Sequence, residues 1–356
     1  MTTPPDPLHV SCPAPRTDQS TVQLAHGGGG RMMRTLIEGI LLPCFHGGQD
    51  AGRRLPPHDS AVVDVGGTRL AFTTDSFVVS PLFFPGGDIG KLAVYGTVND
   101  LAMAGARPLY LSCGLILEEG TPLDTVRRVV QSMQCAAEEV GVQIVTGDTK
   151  VVDRGKAEGI FINTAGVGIV PDGIEVHPAR VAAGDKILLS GDIGRHGIAI
   201  MSLREGLQFD GAPESDCASL ADLVSQLTRL GARLHCLRDL TRGGLAAALI
   251  EIADHVGVGM ELHETAIPIV PQVRGACELL GLDPLYVANE GRLVAIVEPG
   301  AAQQALEILA AHPAAHGAAV IGEVTQRHPR EVELLNAFGT GRLLDLLSGE
   351  QMPRIC

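Results

Sequence analysis

Stretches with a strand-like pattern alternate with stretches that have a helical period, and this alternation runs through the chain twice. The first series predicts strands over 61–65, 69–79, 108–117, 143–145 and 160–170, with helices over 88–104 and 121–140. The second series predicts strands over 186–190, 259–262, 292–297 and 318–324, with helices over 197–203, 218–234, 245–255 and 301–310. Such an alternation is typical of a mixed α/β (α+β) protein in which helices cover sheets.

A Pro- and Gly-containing stretch over 171–183 separates the two series. Because 356 residues are about twice the usual length of one domain, we predict an amino-terminal domain over 26–175 and a carboxy-terminal domain over 176–337. Residues 1–25 carry no helical or strand period, which predicts a disordered lead-in. After about residue 337 the pattern dissolves, which predicts a mobile tail over 338–356.

Composition and charge exclude several classes of protein. Hydrophobic residues make up 45% of the chain and charged residues 19%, which predicts a globular protein with a large core. The net charge of −14 and the content of 8 Phe, 3 Tyr and no Trp argue against a nucleic acid partner. No apolar run reaches the roughly 18 residues of a membrane span, so we expect no membrane segment. The eight cysteines form no CxxC pair, which disfavours zinc or disulfide frameworks and favours a reducing cytoplasm.

A glycine-rich segment precedes the first predicted helix. His26 is followed by four glycines, Gly27 to Gly30, and a helical period then begins at Met32 and ends before Pro43. The chain has neither a GxxxxGK[ST] nor a GxGxxG motif. Consecutive glycines still offer unhindered backbone amides that can fold over an anionic ligand. A plain flexible loop is the alternative.

Three acidic residues lie where carboxylates are unusual. Asp75 lies inside an otherwise uncharged strand, Asp100 lies in an apolar-rich helix, and Asp239 shortly precedes the helix start formed by Thr241 to Gly244. Free amides at a helix start attract anions, and carboxylates beside such a site suggest a hard cation, such as Mg²⁺, that bridges to phosphate oxygens. The alternatives are a helix cap for Asp239 and an edge position for Asp75.

Two further polar clusters lie beside predicted strands. Asp148, Thr149 and Lys150 follow a strand, at the kind of strand end where α/β sheets bind ligands. Lys150 there would neutralise a transferring phosphoryl group. Asn289 and Glu290 precede another strand. For both clusters ordinary turn chemistry is the alternative.

The chain ends on a thiol, Cys356. Its own α-carboxylate disfavours the thiolate, so this residue is expected to be modified rather than to attack freely. The residues from Leu344 to the end span roughly 40 Å when extended, which is enough to reach a cleft of the same subunit. The alternative is an accidental terminal residue.

Taken together, these motifs resemble the HypE family of hydrogenase maturation proteins, in the superfamily of aminoimidazole ribonucleotide synthetase and selenophosphate synthetase. The matching motifs occur in the family's order over 26–356: HGGGG at 26–30, TTDS at 73–76, VNDLAMAGA at 98–106, GDTKV at 147–151, RDLTRGG at 238–244, NEG at 289–291 and PRIC at 353–356. The ending is the most specific motif, because the sister families lack the cysteine tail.

The resemblance implies a two-domain PurM-like fold whose amino-terminal halves pair as a homodimer through a β-barrel-like interface. It implies that ATP binds beneath the glycine-rich loop, and that a carbamoyl group on the terminal cysteine is dehydrated to a thiocyanate. That group supplies the cyanide ligands of the [NiFe] hydrogenase iron. The implied partners are the carbamoyltransferase HypF as carbamoyl donor and the HypC–HypD complex as cyano acceptor.

The resemblance also assigns roles to the candidate residues. Three carboxylates are expected to hold Mg²⁺: Asp75, Asp100 and Asp239. Phosphorylation of the carbamoyl oxygen is expected to use Lys150, and proton removal is expected to use Glu290, oriented by Asn289, with Asp148 helping at the metal. The expected nucleotide contacts are Gly27, Gly28, Gly29, Gly30, Asn99, Asp148, Thr149, Lys150, Thr241, Arg242 and Gly243.

Two other functions stay open at this point. A small-molecule kinase or synthetase of the selenophosphate synthetase type would use Cys44 or Cys12 as its reactive thiol. A non-catalytic scaffold gated by ATP would only dock its tail into a partner. Deletion of Cys356 separates the first of these from a tail-modifying enzyme, because only the small-molecule enzyme would still form its product.

Overall fold

The computed structural model describes residues 21–45, 57–206, 211, 213–349, 352 and 354–356. Its helices are α1 Arg31–Leu36, α2 Leu42–Phe45, α3 Ile89–Met103, α4 Leu123–Val140, α5 Arg195–Arg204, α6 Ala221–Leu227, α7 Gly244–Val256, α8 Pro271–Leu280 and α9 Ala302–Ala311. Its strands are β1 Ala61–Val65, β2 Thr68–Phe77, β3 Phe83–Phe84, β4 Gly87–Asp88, β5 Arg107–Glu118, β6 Gln143–Val152, β7 Ile160–Ile169, β8 Lys186–Leu189, β9 Leu234–Asp239, β10 Gly259–His263, β11 Leu293–Val297, β12 Ala319–Thr325, β13 Val332–Leu335 and β14 Gly341–Leu344. Short 3₁₀ turns connect several of them.

The amino-terminal half forms a five-stranded sheet in the order β1-β2-β7-β5-β6, in which only the β5–β6 pair is parallel. The β1–β2 hairpin turns at Gly66 and Gly67, with φ of 61° and 85°. A tight hairpin turn of this hand needs positive φ at both central residues, which glycine adopts at little cost. The predicted strands over 61–65 and 69–79 are therefore confirmed in type and pairing.

Helix α3 is the central element between the two halves. Of its 15 residues, 13 are buried, so it is covered on all sides rather than along one stripe. It packs on β2 and β7 and also contacts α4, α6 and β9. Asp88 caps its start by accepting hydrogen bonds from the amides of Gly90 and Lys91. The cap and the buried packing hold the polar residues of its last turns at the junction of the halves.

The carboxy-terminal half forms a seven-stranded sheet in the order β14-β13-β10-β12-β8-β11-β9. Alternate residues of β8 show how it is covered: Ile187 and Leu189 pack in the cluster that contains α7, whereas Leu188 packs in the cluster that contains α6 and α9. Because successive side chains of a strand point to opposite faces, helices cover both faces. Among the described residues no helix is both long enough and apolar enough to cross a membrane.

Several boundaries differ from the sequence predictions. Regular structure does not end near residue 337, because β14 pairs with β13 at the edge of the large sheet. The strand predicted over 143–145 continues through Val152. Gly147 permits this continuation, since a Cβ there would lie 2.2 Å from the carbonyl oxygen of Cys113 on the neighbouring strand. The short strands β9, β13 and β14 and helix α8 were not predicted, because pairing and packing rather than local periodicity define them.

The first helix also passes the proline that was expected to end it. Residues Ile37–Leu41 form a π-helical segment between α1 and α2, and the amide of Leu42 bonds to the carbonyl of Ile37, five residues back. A wider turn of this kind relieves the clash between a proline ring and the preceding turn. The helix therefore continues through Pro43 to Phe45. Of the predicted lead-in, residues 1–20 lie outside the described part, and Leu24–Gly27 forms a 3₁₀ turn.

Candidate active site

Three aspartates from different elements meet beside α3. Asp59 precedes β1, Asp100 lies in α3 and Asp239 ends β9, and one carboxylate oxygen from each lies within 4.8 Å of the other two. Thr73 of β2 donates a hydrogen bond to Asp100 Oδ2 at 2.8 Å. The packing of α3 against both β2 and β9 explains why residues so distant in sequence share one site.

The electrostatics of this aspartate cluster fit a bound cation. Burial raises the pKa of Asp100 and of Asp239, and the charges of neighbouring aspartates raise both further. Arg238 Nε lies 2.8 Å from Asp59 Oδ1, whereas the buried Asp59 Oδ2 has no hydrogen-bond partner in the described structure. Carboxylates crowded in this way, with an unpaired oxygen, suit a hard divalent cation such as Mg²⁺.

The cluster contains two of the three predicted metal ligands and adds a residue that the sequence analysis missed. Asp100 and Asp239 converge with Asp59, whereas Asp75 lies outside this group of three and lines the same cavity. Asp75 Oδ1 instead accepts a hydrogen bond of 2.7 Å from the amide of Ser76. Burial raises the pKa of Asp75, and the charge of Arg242 opposes that rise. The signal for Asp59 was weak, because it precedes its strand without a recognisable motif.

The predicted glycine loop lies against the predicted helix start. The carbonyl oxygen of Gly29 lies 3.2 Å from the position that a Cβ on Gly243 would occupy, and Gly243 has a φ of 78°. Arg242 Nη1 donates to the carbonyl of Gly27 at 3.4 Å. The two loops thus approach as closely as glycine allows.

A cavity of about 370 Å³ opens between these loops and the aspartates. Its lining includes Gly29, Gly30, Thr241 and Arg242 together with the aspartate cluster and Asp75. The volume lies in the range of about 300–1,000 Å³ that is usual for cofactor pockets. The structure therefore brings these predicted nucleotide contacts together with the predicted metal ligands.

The carboxy-terminal residues dock in a cleft of their own chain. The amide of Val78 donates to the carbonyl of Cys356 at 2.9 Å, and the amide of Ser80 donates to the carbonyl of Arg354 at 3.3 Å. The side chain of Ile355 is buried. This arrangement resembles the addition of a strand to the segment after β2.

The docked thiol lies in the electrostatic environment of the predicted catalytic residues. Removal from water raises the pKa of Cys356; the charge of Arg242 opposes this rise, and Glu290 and Asp75 add to it. Burial also raises the pKa of Glu290, and Asp75 adds to that rise. Glu290 Oε1 is buried without a hydrogen-bond partner among the described residues. Burial therefore favours the protonated form of both the Cys356 thiol and the Glu290 carboxyl group.

The two predicted asparagines have structural roles. Asn289 Oδ1 accepts from the amide of Gly194 at 2.7 Å, and its Nδ2 donates to the carbonyls of Leu240 and Val287, both at 3.0 Å. These backbone groups use its amide, so any orientation of Glu290 by Asn289 would act through the backbone that joins them.

Asn99 behaves in the same way. Its Nδ2 donates to the carbonyl of Ala218 at 3.0 Å, and its Oδ1 accepts from the amide of Leu220 at 2.7 Å. The side chain therefore ties α3 to the segment before α6. This use corrects its predicted role as a nucleotide contact.

Asp148, Thr149 and Lys150 do not join the cavity within one chain. They lie in the middle of β6, not at a strand end, and Lys150 Nζ pairs with Asp148 Oδ2 at 2.6 Å in an exposed position. The strand register places Asp75 level with Gly147 across β7 and β5. Three strand spacings separate them, or about 14 Å. A role for Lys150 at the aspartate cluster therefore requires another chain.

Of the thiols proposed for a small-molecule enzyme, Cys44 is exposed on α2 and does not line this cavity. Cys12 lies outside the described residues.

Comparisons with known proteins agree with this site. Two family models match: AIR synthase related protein, N-terminal domain, over residues 57–170, and AIR synthase related protein, C-terminal domain, over residues 182–334. A relative from Bradyrhizobium diazoefficiens, named carbamoyl dehydratase HypE, is 53% identical over 336 residues, which cover 94% of this chain and 96% of the relative.

Solved structures support the same family assignment. The crystal structure of hydrogenase maturation protein HypE in complex with ATP aligns with a TM-score of 0.79 and 47% identity over 94% of this chain and 100% of its own. The crystal structure of the HypE–HypF complex aligns with a TM-score of 0.82 and 45% identity over 88% of this chain and 99% of its own. The expected PurM-like fold and the family resemblance are both confirmed. The chain therefore belongs to the AIR synthase related proteins and, among them, to the HypE family of carbamoyl dehydratases.

Proposed function

We propose that this chain is an ATP-dependent carbamoyl dehydratase that converts an S-carbamoyl group on Cys356 into a thiocyanate. The product would supply the cyanide ligands of the [NiFe] hydrogenase iron. One observation carries the proposal: the chain's own last residue docks in a cleft that Gly27, Gly28, Arg242 and Gly243 of the two glycine loops also line. We therefore assign Cys356 as the residue that carries the reacting group.

The reaction has to turn a poor leaving group into a good one. Transfer of the γ-phosphoryl group of ATP to the carbamoyl oxygen, with loss of one N–H proton, gives an imidate phosphate and ADP. Loss of the second N–H proton then expels phosphate and leaves S–C≡N, so the balance is thiocarbamate plus ATP giving thiocyanate, ADP, phosphate and one proton. We assign the removal of these protons to Glu290 in its carboxylate form. Burial raises the pKa of Glu290, which makes that form a stronger base, and its buried Oε1 has no hydrogen-bond partner among the described residues.

The residues around the cavity fit the nucleotide and its metal. Mg²⁺, when bound, would neutralise phosphate charge, and Asp59, Asp100 and Asp239 are the residues that would hold it. Asp75 lies beside this cluster and faces Arg242. The two glycine loops would cover the phosphates with backbone amides.

We also propose a homodimer through the outer face of the amino-terminal sheet. Phe72 and Tyr110 align with Val167 between them, and both aromatic side chains are exposed. By the strand register Val63, Val65 and Ile116 lie on the same face, and they are exposed as well. A face this apolar is unusual for a monomer, and two such sheets facing each other would form the expected barrel-like interface.

The partners follow from the chemistry of the tail. Burial raises the pKa of the docked thiol, so carbamoyl loading requires the tail outside the cleft, in reach of a donor such as HypF. Similarity to a chain solved in a HypE–HypF complex supports this donor. The cyano group would leave to the HypC–HypD complex. The seven cysteines that the structure describes are all free thiols, which supports the proposed reducing cytoplasm.

The mass of the carboxy-terminal peptide tests the proposal. After incubation with a carbamoyl donor and then with ATP and Mg²⁺, the parent chain should gain a carbamoyl adduct and then lose one water. Glu290→Gln should accept the adduct and bind ATP but dehydrate at least 100-fold more slowly, because the amide cannot take a proton. Glu278→Gln, on the exposed side of α8, is the matched control and should behave like the parent. Normal dehydration by Glu290→Gln would remove this residue from the mechanism, and dehydration by Cys356→Ser would disprove the proposal.

A further inference from the structure

A fully buried histidine that the mechanism does not use contacts the docked tail. His196 lies in the first turn of α5, and its Nε2 lies 2.8 Å from the carbonyl oxygen of Ile355. Its Nδ1 lies 2.8 Å from Ser215 Oγ, which also accepts a hydrogen bond of 3.0 Å from the amide of Cys217. Both ring nitrogens are therefore engaged, one of them by the substrate segment.

The hydrogen-bond partners fix which nitrogen carries the proton. A carbonyl oxygen can only accept, so Nε2 must donate to Ile355, and Nδ1 then accepts the hydroxyl proton of Ser215. Burial lowers the pKa of His196, although the charge of Asp216 opposes this, so the ring is neutral and has a single N–H. That single donor points at the tail.

The ring is also held in its plane. Phe84 packs edge-on against His196, with ring centroids 5.4 Å apart and an angle of 80° between the planes. Together with the Ser215 hydroxyl, this contact prevents the ring flip that would direct the N–H away from the tail. The donor is thus preorganised before the tail arrives.

The side chain next to the terminal cysteine is also bound in a specific pocket. Ile355 is only 4% exposed and packs in the cluster that contains Phe77, Val79 and Ile200. The segment is not a regular strand, since Arg354 has a φ of 56°, and Cys356 lies outside this cluster in a cleft that Arg242 and Gly243 also line. A slip of one residue would place Cys356 in the apolar pocket of Ile355 and would direct its substituent away from the cavity.

We infer that His196 is a positioning residue, which together with the apolar pocket for Ile355 fixes the register of the tail so that the sulfur of Cys356 faces Glu290. The inference deepens the proposed dehydration and rests on it for its catalytic consequence. The docking itself does not require that chemistry. Together with the amides of Val78 and Ser80, these contacts bind backbone carbonyls and one aliphatic side chain of the tail. The modified cysteine side chain can therefore change from thiol to carbamoyl to cyano without loss of the anchor.

Alkylation of the full-length chain measures the docking directly. The protein is treated with iodoacetamide and then digested with a protease that cleaves after glutamate. Mass spectrometry follows the peptide over 351–356, which contains Cys356. His196→Ala should raise the alkylation rate of Cys356 about tenfold, because one buried hydrogen bond to the tail is lost. His196→Gln, whose amide N–H can replace Nε2–H, should restore the parent rate. Exposed Cys44 is the internal control for reagent, and fully buried Cys236 should stay unmodified while the chain is folded.

Ile355→Ala tests the same docking from the side of the tail. Alkylation of Cys236 in His196→Ala would show that this variant is partly unfolded. Ile355→Ala changes a residue of the tail, so it still tests the docking in that case. We expect Cys356 to react at least tenfold faster, with Cys236 still protected. Parent rates in Ile355→Ala, or in His196→Ala with Cys236 protected, would overturn the inference.

A single-turnover assay separates this inference from the proposed function. With a chain already carbamoylated on Cys356, His196→Ala should dehydrate about tenfold more slowly at unchanged ATP affinity, and His196→Gln should recover the rate. An equal rate in His196→Ala would overturn the positioning role. A parent chain that does not dehydrate would instead contradict the proposed function, and the alkylation rates would still decide how the tail is held.

Discussion

Asn289 and Glu290 are neighbours with different tasks. The amide of Asn289 joins three backbone groups from three segments, whereas Glu290 has a carboxyl oxygen with no partner among the described residues. Asp216 accepts from the amides of Glu290 and Gly291 at 3.3 and 3.1 Å. The backbone around Glu290 is thus fixed on both sides, while its side chain stays available for proton transfer.

Asn289→Ala is expected to act on stability. The change removes the side-chain partner of the Gly194 amide and of the Val287 carbonyl and one of the two hydrogen bonds that the Leu240 carbonyl accepts, which should lower the free energy of unfolding by about 3 kcal/mol. Urea denaturation followed by circular dichroism measures this loss. Asn336→Ala, in the exposed turn before β14, is the control. If Asn289→Ala kept the parent stability but lost dehydration, the residue would act on Glu290 after all.

At the scale of the element, β6 is an exposed edge strand that carries polar candidate residues. Nine of its ten residues are exposed, and among the described strands it pairs with β5 alone. An exposed edge strand with apolar side chains invites pairing with a second chain. The predicted phosphate contact Lys150 lies on this strand. Its proposed role in a neighbouring chain therefore depends on the proposed dimer.

Mixing two inactive chains tests where Lys150 acts. Lys150→Ala and Glu290→Gln, coexpressed with different tags and purified as the mixed dimer, should recover up to half of the parent rate if Lys150 serves the neighbouring chain. The Lys150→Ala chain would then keep its own Glu290 and receive lysine from its partner. Each homodimer is the control and should be at least 100-fold slower than the parent. A mixed dimer as inactive as the homodimers would show that Lys150 does not serve the neighbouring chain, and an active Lys150→Ala homodimer would place it outside the reaction.

At the scale of the whole molecule, the aspartate cluster joins the two halves and costs stability when it is charged. Burial and mutual repulsion raise the pKa of Asp100 and of Asp239. A carboxyl group whose pKa is higher in the folded than in the unfolded chain stabilises the fold most when it is protonated. This contribution therefore falls as the pH rises from about 4, the unfolded value, through the folded-state pKa.

A divalent cation should reverse this loss. We expect Mg²⁺ to raise the thermal midpoint more at pH 8 than at pH 5, because protonated carboxyls do not bind the cation. Asp100→Asn removes one of the repelling charges, so it should raise the midpoint without Mg²⁺ and abolish most of the response to it. Differential scanning calorimetry with and without MgCl₂ checks both expectations. An equal Mg²⁺ response in Asp100→Asn and the parent would show that the cation binds elsewhere.

The sequence by itself determined most of the elements and the chemistry of the chain. Strand alternation, the capped helix α3 and the hairpin glycines are local signals, and the terminal cysteine and the acidic motifs are visible without any fold. Such signals depend on neighbours a few residues apart, which is the range over which propensity and periodicity act.

Only the tertiary structure decided which of these residues meet. It placed Asp59 in the aspartate cluster in preference to Asp75, assigned Asn99 and Asn289 to backbone contacts, and docked the tail in its own chain against His196. It also extended β6 and added β14, because strands of this kind exist through their partners. The physical reason is that burial and convergence depend on how elements pack across long separations in sequence, and local patterns carry no information about that packing.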